Sequence, residues 1–162
     1  MAGDGGVVVG GAAGIGEASA ELLASEGAAV TIADLNTERG QRVAKRITKA
    51  GGRALFVRAD VGKSADVRRM VERTTKAFGR LDILLNKAIS IELATAVDLD
   101  EKTWDKTQAV GLKSVFLGAK YAIPAMRKSQ DGGAIVNISS VHALVGFAQH
   151  TAYDAAKAGV LG

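Results

Sequence analysis

Tyr153 stands four residues before Lys157 and thirteen after Ser140, a spacing suited to moving a proton at a carbonyl group. A tyrosine hydroxyl left alone titrates at about pH 10 and is a poor base at neutral pH. A lysine ammonium beside a phenol favours its ionised form. On a helix, positions i and i+4 share a face, so the run Tyr153-Asp154-Ala155-Ala156-Lys157 sets a cation beside the phenol. Ser140 closes an apolar run, Ala134-Ile135-Val136-Asn137-Ile138, that reads as a strand. Its hydroxyl then faces whatever binds above the sheet.

Short β-rich runs alternate with helical stretches along the chain. Val7-Val8-Val9 leads through a glycine-rich turn into a helix that opens at Glu17 and ends near Gly27. Ala28 to Ala33 is a second strand, ending at Asp34, and Thr37 can cap a basic helix that stops near Gly51-Gly52. Arg53 to Ala59 forms a third strand, closed by Asp60. Ser64 begins a helix with Val67, Met70, Val71, Thr74 and Phe78 at helical spacing and Gly79 at its end. Leu81 to Leu85 is a fourth strand, closed by Asn86. A long helix from Glu101 to Arg127 offers Trp104, Val110, Val115, Phe116 and Leu117 for packing, and Pro124 should bend or loosen its last turn. The loop Lys128 to Gly133 then leads to the fifth strand, and a last helix of roughly twelve residues begins near Thr151. Strands separated by helices imply crossovers and a parallel sheet covered on both faces. In such sheets ligands lie beyond the carboxyl ends of the strands, where Asp34, Asp60, Asn86 and Ser140 all sit.

The 162 residues carry no internal repeat or linker and read as one domain. The hydrophobic content of 48% and the single proline exclude a disordered chain. The absence of cysteine excludes disulfides and thiolate catalysis. No metal site is expected, because the acids and histidines lack ligand spacing. The net charge of +4 is spread along the chain, and the densest basic cluster, Arg68-Arg69 with Arg73, is interleaved with Asp66 and Glu72. That pattern describes a solvated helix face rather than a nucleic-acid surface. The N-terminus carries an acid and no basic cluster, and no apolar run approaches a membrane span. The chain therefore reads as cytoplasmic, with no nucleic-acid or membrane partner.

After the first strand comes Gly10-Gly11-Ala12-Ala13-Gly14-Ile15-Gly16. Small residues let the backbone approach a pyrophosphate, and the following helix N-terminus offers free N–H groups. A carboxylate at Asp34 can accept hydrogen bonds from the two hydroxyls of an adenosine ribose and would repel a 2′-phosphate. Leu35 and Asn36 follow it rather than arginine, which favours NAD over NADP.

Taken together, Gly10-x-x-x-Gly14-Ile15-Gly16, Asp60-Val61, Asn86, Ser140 and Tyr153-x-x-x-Lys157 resemble the short-chain dehydrogenases/reductases (SDR), in the expected order along the whole chain. The resemblance implies a Rossmann-like α/β fold: a doubly wound parallel sheet in three α/β/α layers, strand order 3-2-1-4-5, with about five of the usual seven strands. It implies that Tyr153 is the catalytic acid/base, that Lys157 holds the nicotinamide ribose and favours the phenolate, and that Ser140 orients the substrate oxygen. Gly10, Gly14, Ile15, Gly16 and Asp34 would hold the cofactor, Asp60 and Val61 would meet the adenine, and Asn86 would line the adenosine side. The activity implied is hydride transfer between NAD(H) and a secondary alcohol or ketone. A homo-oligomer through the long helix and the Tyr153 helix is also implied.

Four features depart from the family pattern. Val9 replaces a threonine before the first glycine. Asn86-Lys87-Ala88-Ile89 replaces the usual Asn-Asn-Ala-Gly, so Ile89 is expected to strain a backbone that needs positive φ, and Lys87 must find solvent or an acid. Gly111 falls where the family carries a catalytic asparagine. The C-terminal substrate-binding part that family members add is not in the 162 residues, which would leave the fifth strand as a bare apolar edge. These departures define the alternative, a catalytically silent fragment that binds a dinucleotide or a protein partner without turnover. Other chemistry-bearing residues read as structural. His142 and His150 should have no acid behind either ring. Asp131 and Asp154 should be a loop acid and an exposed helix acid, and Trp104 a packing residue. Leu93, Ala94, Ala143, Leu144 and Phe147 suggest an apolar approach to the site.

Overall fold

Runs of β-branched and small apolar residues with no polar alternation must be covered on both faces. In the computed structural model, which describes residues 3–129 and 132–162, that is the condition of the central strands. The order of elements is β1 (Gly5–Val9), α1 (Gly14–Ser25), β2 (Ala29–Asp34), α2 (Thr37–Lys49), β3 (Arg53–Arg58), α3 (Ser64–Phe78) and β4 (Ile83–Asn86). A long helix follows in three parts, α4 (Glu101–Gln108), a π turn (Ala109–Lys113) and α5 (Ser114–Met126). The chain continues through β5 (Ala134–Asn137), a short 3-10 helix (Val141–Ala143) and α6 (Thr151–Gly159).

All pairings in the five-stranded sheet are parallel, and the order is β3-β2-β1-β4-β5. This is the Rossmann-like α/β arrangement that the motifs imply. The period of two along β1 sorts its valines. Val7 and Val9 join a core with Met70 of α3 and Leu117 and Met126 of α5, whereas Val8 joins Ala20 of α1 and Val43 and Ile47 of α2. Register then aligns the carboxyl ends. Val9 is level with Ala33 on one side and Asn86 on the other, and Asn86 is level with Asn137.

Several boundaries differ from expectation, each for a local reason. The first helix begins at Gly14, not Glu17, so the last three residues of the glycine motif, Gly14-Ile15-Gly16, open its first turn. Asn36 rather than Thr37 caps α2, because its side chain accepts from the Arg39 amide at 3.0 Å. The long helix is interrupted by the π turn, where one extra residue enters the helical ladder. Pro124 lies inside the last turns of α5, as expected, and the Arg127 amide reaches the Ile123 carbonyl at 3.0 Å. The last helix is nine residues long, shorter than expected. Trp104 is 37% exposed and Phe116 60%, so neither is the core residue its helical spacing suggested. Arg68 and Arg69 pair with Glu72 and Asp66, as a solvated face requires. Asp131 lies outside the described residues. β5 forms one edge of the sheet, with Val136 exposed. No helix among the described residues is long and apolar enough to cross a membrane.

At the amino ends of the strands, buried Asp82 accepts from the Gly5 amide at 2.8 Å and from Arg80 Nε at 2.7 Å. Burial alone would raise this carboxyl, but the Arg80 guanidinium and the Gly5 amide outweigh it and hold Asp82 below the ordinary range. Asp82→Ala should therefore lower the unfolding free energy by about 2–3 kcal/mol at neutral pH, by leaving those donors unmatched. A carboxyl depressed in the folded state contributes stability above its unfolded value of about 3.9 and loses it as pH falls through the folded value. Urea denaturation should accordingly show the deficit at neutral pH and a shrinking difference from wild type in acid. A deficit that does not change with pH would refute the linkage.

Candidate active site

β1 delivers the chain into the glycine turn, and the Gly10 amide is tied to the Ala33 carbonyl at 2.8 Å. Gly14 opens α1 with φ +55°, a conformation costly for any residue with a Cβ. A Cβ on Gly16 would lie 2.1 Å from the Gly10 carbonyl oxygen, so only glycine permits this close turn. Among the described residues no side chain caps α1. Its first-turn amides are left with the partial positive charge of a helix N-terminus, which suits a phosphate.

Beside this turn is a cavity of about 190 Å³ whose wall includes Gly10, Asp34, Asp60, Val61, Lys87 and Ile89. Asp34 both lines it and braces it, accepting from the Ala12 amide at 3.1 Å and the Asn36 amide at 2.9 Å. Asp60 accepts from the Gly62 amide at 3.1 Å and faces Lys63 at 3.4 Å. Asn86 is set behind this wall. It is buried, and its side-chain amide donates to Asn137 at 2.9 Å while packing closely over Gly118, where a Cβ would come 3.0 Å from Asn86 Oδ1. Residues 87–89, rather than Asn86, form the lining on this side. Ile89 is not in the left-handed region, so the expected strain is absent; among the described non-glycine residues only Gln149, φ 64°, adopts positive φ. A larger groove of about 750 Å³ runs between α3 and α5. Its Arg80 and Ser129 place it at the opposite end of the strands.

α6 brings Tyr153 and Lys157 onto one face, with Lys157 Nζ 5.8 Å from the Tyr153 ring centroid. Lys157 is 3% exposed and donates to the Ile138 carbonyl at 2.5 Å. Ser139 Oγ returns a bond to the Lys157 carbonyl at 2.9 Å. Ser140, next in the chain, caps the 3-10 helix by accepting from the His142 amide at 3.2 Å. Burial first, and then the charge of Lys87, push the Lys157 ammonium below the ordinary lysine range. Lys87 is half-buried and meets no carboxylate among the described residues, so of the two expected outcomes, solvent or an acid, it takes solvent.

Reasoning from the sequence missed one contact beside the tyrosine. His142 Nδ1 donates to Asp154 Oδ1 at 2.8 Å, and Asp154 Oδ2 accepts from the Phe147 amide at 2.8 Å. An acid does stand behind His142, and Asp154 is not an exposed helix residue. Burial would raise the Asp154 carboxyl, but the Phe147 amide and His142 outweigh it and hold it low. The His142 ring stacks on Phe147 at 4.2 Å and stands edge-on to Tyr153 at 5.3 Å. The Ser140 hydroxyl meets the backbone amide of His142 and not its ring, so these residues form a loop clamp and not a serine–histidine relay. No short-range pattern announces this clamp, because segment 141–150 reverses onto α6 only in the folded chain. The Ala94–His150 bridge and the Thr151 Oγ1 bond to the Ala94 carbonyl at 3.0 Å hold that reversal.

Comparison with known proteins gives a consistent picture. The family model for short chain dehydrogenases matches residues 6–162. The chain is 40% identical over 156 residues to an uncharacterized oxidoreductase of Thermotoga maritima. It is 43% identical over 155 residues to cis-4-hydroxycyclohexanecarboxylate dehydrogenase of Sinomonas cyclohexanicum, and 38% identical over 154 residues to cyclopentanol dehydrogenase of Comamonas testosteroni. These alignments cover 95–96% of this chain but 61% of each relative, so the chain spans about three fifths of their length. The crystal structure of a candidate short-chain alcohol dehydrogenase from Sinorhizobium meliloti 1021 superposes with a TM-score of 0.94 at 33% identity, covering all of this chain and 64% of that one.

The buried ammonium of Lys157 sets a test of the site's cost. A lysine depressed by folding binds fewer protons folded than unfolded, so stability rises with pH from the folded value towards the unfolded value of about 10.4. Lys157→Met should remove that rise and stabilise the protein on the order of 1 kcal/mol at neutral pH. Thermal unfolding across the alkaline range measures both effects. A destabilised Lys157→Met protein would show instead that the bond to Ile138 outweighs desolvation.

Proposed function

The chain belongs to the short-chain dehydrogenase family, and from that premise we propose that it transfers a hydride between NAD(H) and a secondary alcohol or its ketone. Residues 1–162 are assigned as one NAD(P)-binding domain. The reading rests above all on Tyr153 and Lys157 sharing one face of α6, with the ammonium buried at the end of the sheet. The residues present fit a dinucleotide: the uncapped α1 N-terminus behind Gly14 and Gly16 suits the diphosphate, and Asp34 in the adjoining cavity suits ribose hydroxyls. Asp60 and Val61 would flank the adenine.

When bound, the nicotinamide ring accepts or supplies the hydride at C4. Tyr153, as phenolate, takes the hydroxyl proton of the alcohol during oxidation and returns it during reduction. Lys157 would hold the nicotinamide ribose beside Tyr153. Ser140 would donate to the substrate oxygen and hold it at Tyr153. The exposed apolar side chains of Leu93, Leu144 and Phe147 give the approach an apolar rim. Together with relatives named for cyclopentanol and cis-4-hydroxycyclohexanecarboxylate, they point to alicyclic secondary alcohols as the class to assay first.

NADP(H) is the second reading. Arg39 and Arg42 line a cleft of about 270 Å³ beside Ala12 and Ala13, close to the turn that Asp34 braces. A homo-oligomer through the long helix and α6 is also proposed, with exposed Phe116 and Ile123 on the long helix as its apolar contribution.

Calorimetric titration with NADH and NADPH should give tighter binding of NADH by about tenfold or more. The reverse preference would transfer the assignment to the arginine cleft, and binding of neither would end the dinucleotide reading. Tyr153→Phe should lower turnover of cyclopentanol by about 100- to 10,000-fold while leaving NADH affinity within about twofold. Turnover equal to wild type would remove Tyr153 from the chemistry. Sedimentation tests the association, and a clean monomer would count against it.

A further inference from the structure

Gly111 is buried at the centre of the π turn, and Ile89 lies on the segment after β4. A methyl group built on Gly111 would stand 2.4 Å from Ile89 Cδ1 and 3.0 Å from Ala156 Cβ, with Ile89 Cγ1 at 3.9 Å. Favourable carbon–carbon contact begins at about 3.5 Å, so the side chain of Ile89 already occupies the space that a side chain at 111 would need. Rotating the tip of Ile89 would relieve the first approach but not the second, because Ala156 is carried on the α6 backbone. Ala156 sits in the turn between Tyr153 and Lys157. Further along the same interface the roles are exchanged: Leu112 supplies the side chain and Gly159 the notch, where a Cβ would come 2.8 Å from Leu112 Cδ2.

We infer that Ile89 is a positioning residue for the catalytic helix: by filling the notch left open at Gly111, it sets how closely α6, with Tyr153 and Lys157, approaches the cofactor cleft. Positions 89 and 111 exchange size for size. Side chains at both would overfill one space, and glycine at both would leave a cavity. Read along the chain, Ile89 and Gly111 are two separate losses from the family pattern; in the fold they are one packing solution. Ile89 also lines the cavity shared by Asp34 and Asp60, so the same side chain reaches from that cavity to the space over Gly111.

The nucleotide arm of the test rests on the dinucleotide reading; the unfolding arm does not. Ile89→Ala, Gly111→Asn and the double variant complete a cycle with wild type, followed by urea unfolding and by affinity for NADH and ADP-ribose. In the wild-type background Gly111→Asn should lower the unfolding midpoint. It should weaken NADH by about tenfold while changing ADP-ribose by less than about threefold, because α6 faces the nicotinamide half. In the Ile89→Ala background the same substitution should lower the midpoint clearly less, because only the approach to Ala156 remains, and should return NADH to within about threefold of wild type. Gly111→Asn that folds only alongside Ile89→Ala would be the same rescue in stronger form. Additive midpoints, failure to fold in both backgrounds, or equal losses of NADH and ADP-ribose would overturn the inference. If wild type binds neither nucleotide, the proposed function falls, while the unfolding cycle still decides whether Ile89 and Gly111 share one space.

Discussion

Taking an ammonium group out of water costs several kcal/mol unless oxygen atoms receive it, and in this protein the Ile138 carbonyl receives Lys157 at 2.5 Å. The bond is part of a reciprocal pair, since Ser139 Oγ donates to the Lys157 carbonyl at 2.9 Å. Segment 138–140 and α6 are therefore joined twice, and Ser140 and Tyr153 cannot drift independently. The segment is held in its turn by the sheet. The Ile138 amide donates to the Asn86 carbonyl at 2.9 Å, and the Asn86 side chain reaches Asn137 at 2.9 Å. Support runs from β4 to β5, from β5 to Lys157, and from Lys157 to the face that carries Tyr153.

A helix of nine residues is not stable alone in water, so α6 exists because neighbours seat it. Gln108 donates to the Ala152 carbonyl at 2.9 Å and Thr151 to the Ala94 carbonyl at 3.0 Å, which fix its first turn. The His142–Asp154 clamp closes the preceding loop over the same turn. The π turn supplies the opposing surface through Gly111 and Leu112. The charge of Lys87 acts against Lys157 and lowers its affinity for a proton.

Much of this was legible residue by residue. The strands follow from apolar runs, α3 from the spacing of Val67, Met70, Val71 and Thr74, and its end from Gly79, which adopts φ +84° as a left-handed cap. Asp34 stands at the strand end its position indicated, next to the glycine turn. The misreadings cluster where two signals compete or where the partner is distant. Asn36 and Thr37 are both good caps, and the preceding strand decides which of them meets the amide of Arg39. Phe116 carries an apolar side chain but falls on the outer face of the long helix, which the π turn rotates relative to a continuous one. Asp154 reads as a solvated acid because nothing near it in sequence is a partner except through the reversal of segment 141–150.

By itself, the sequence determined the alternation of strands and helices, the glycine turn before α1, and the placing of Tyr153 and Lys157 on one face. These properties repeat over one helical turn or one strand pleat, so the chemistry of adjacent residues is sufficient to set them. Only the tertiary structure decided that Ile138 would hold the lysine, that Asp154 would stand behind His142, and that Ile89 would fill the space beside Gly111. Each of these joins segments whose separation is closed by packing of helices on a twisted sheet. Their geometry depends on the summed fit of many side chains, which no local spacing contains.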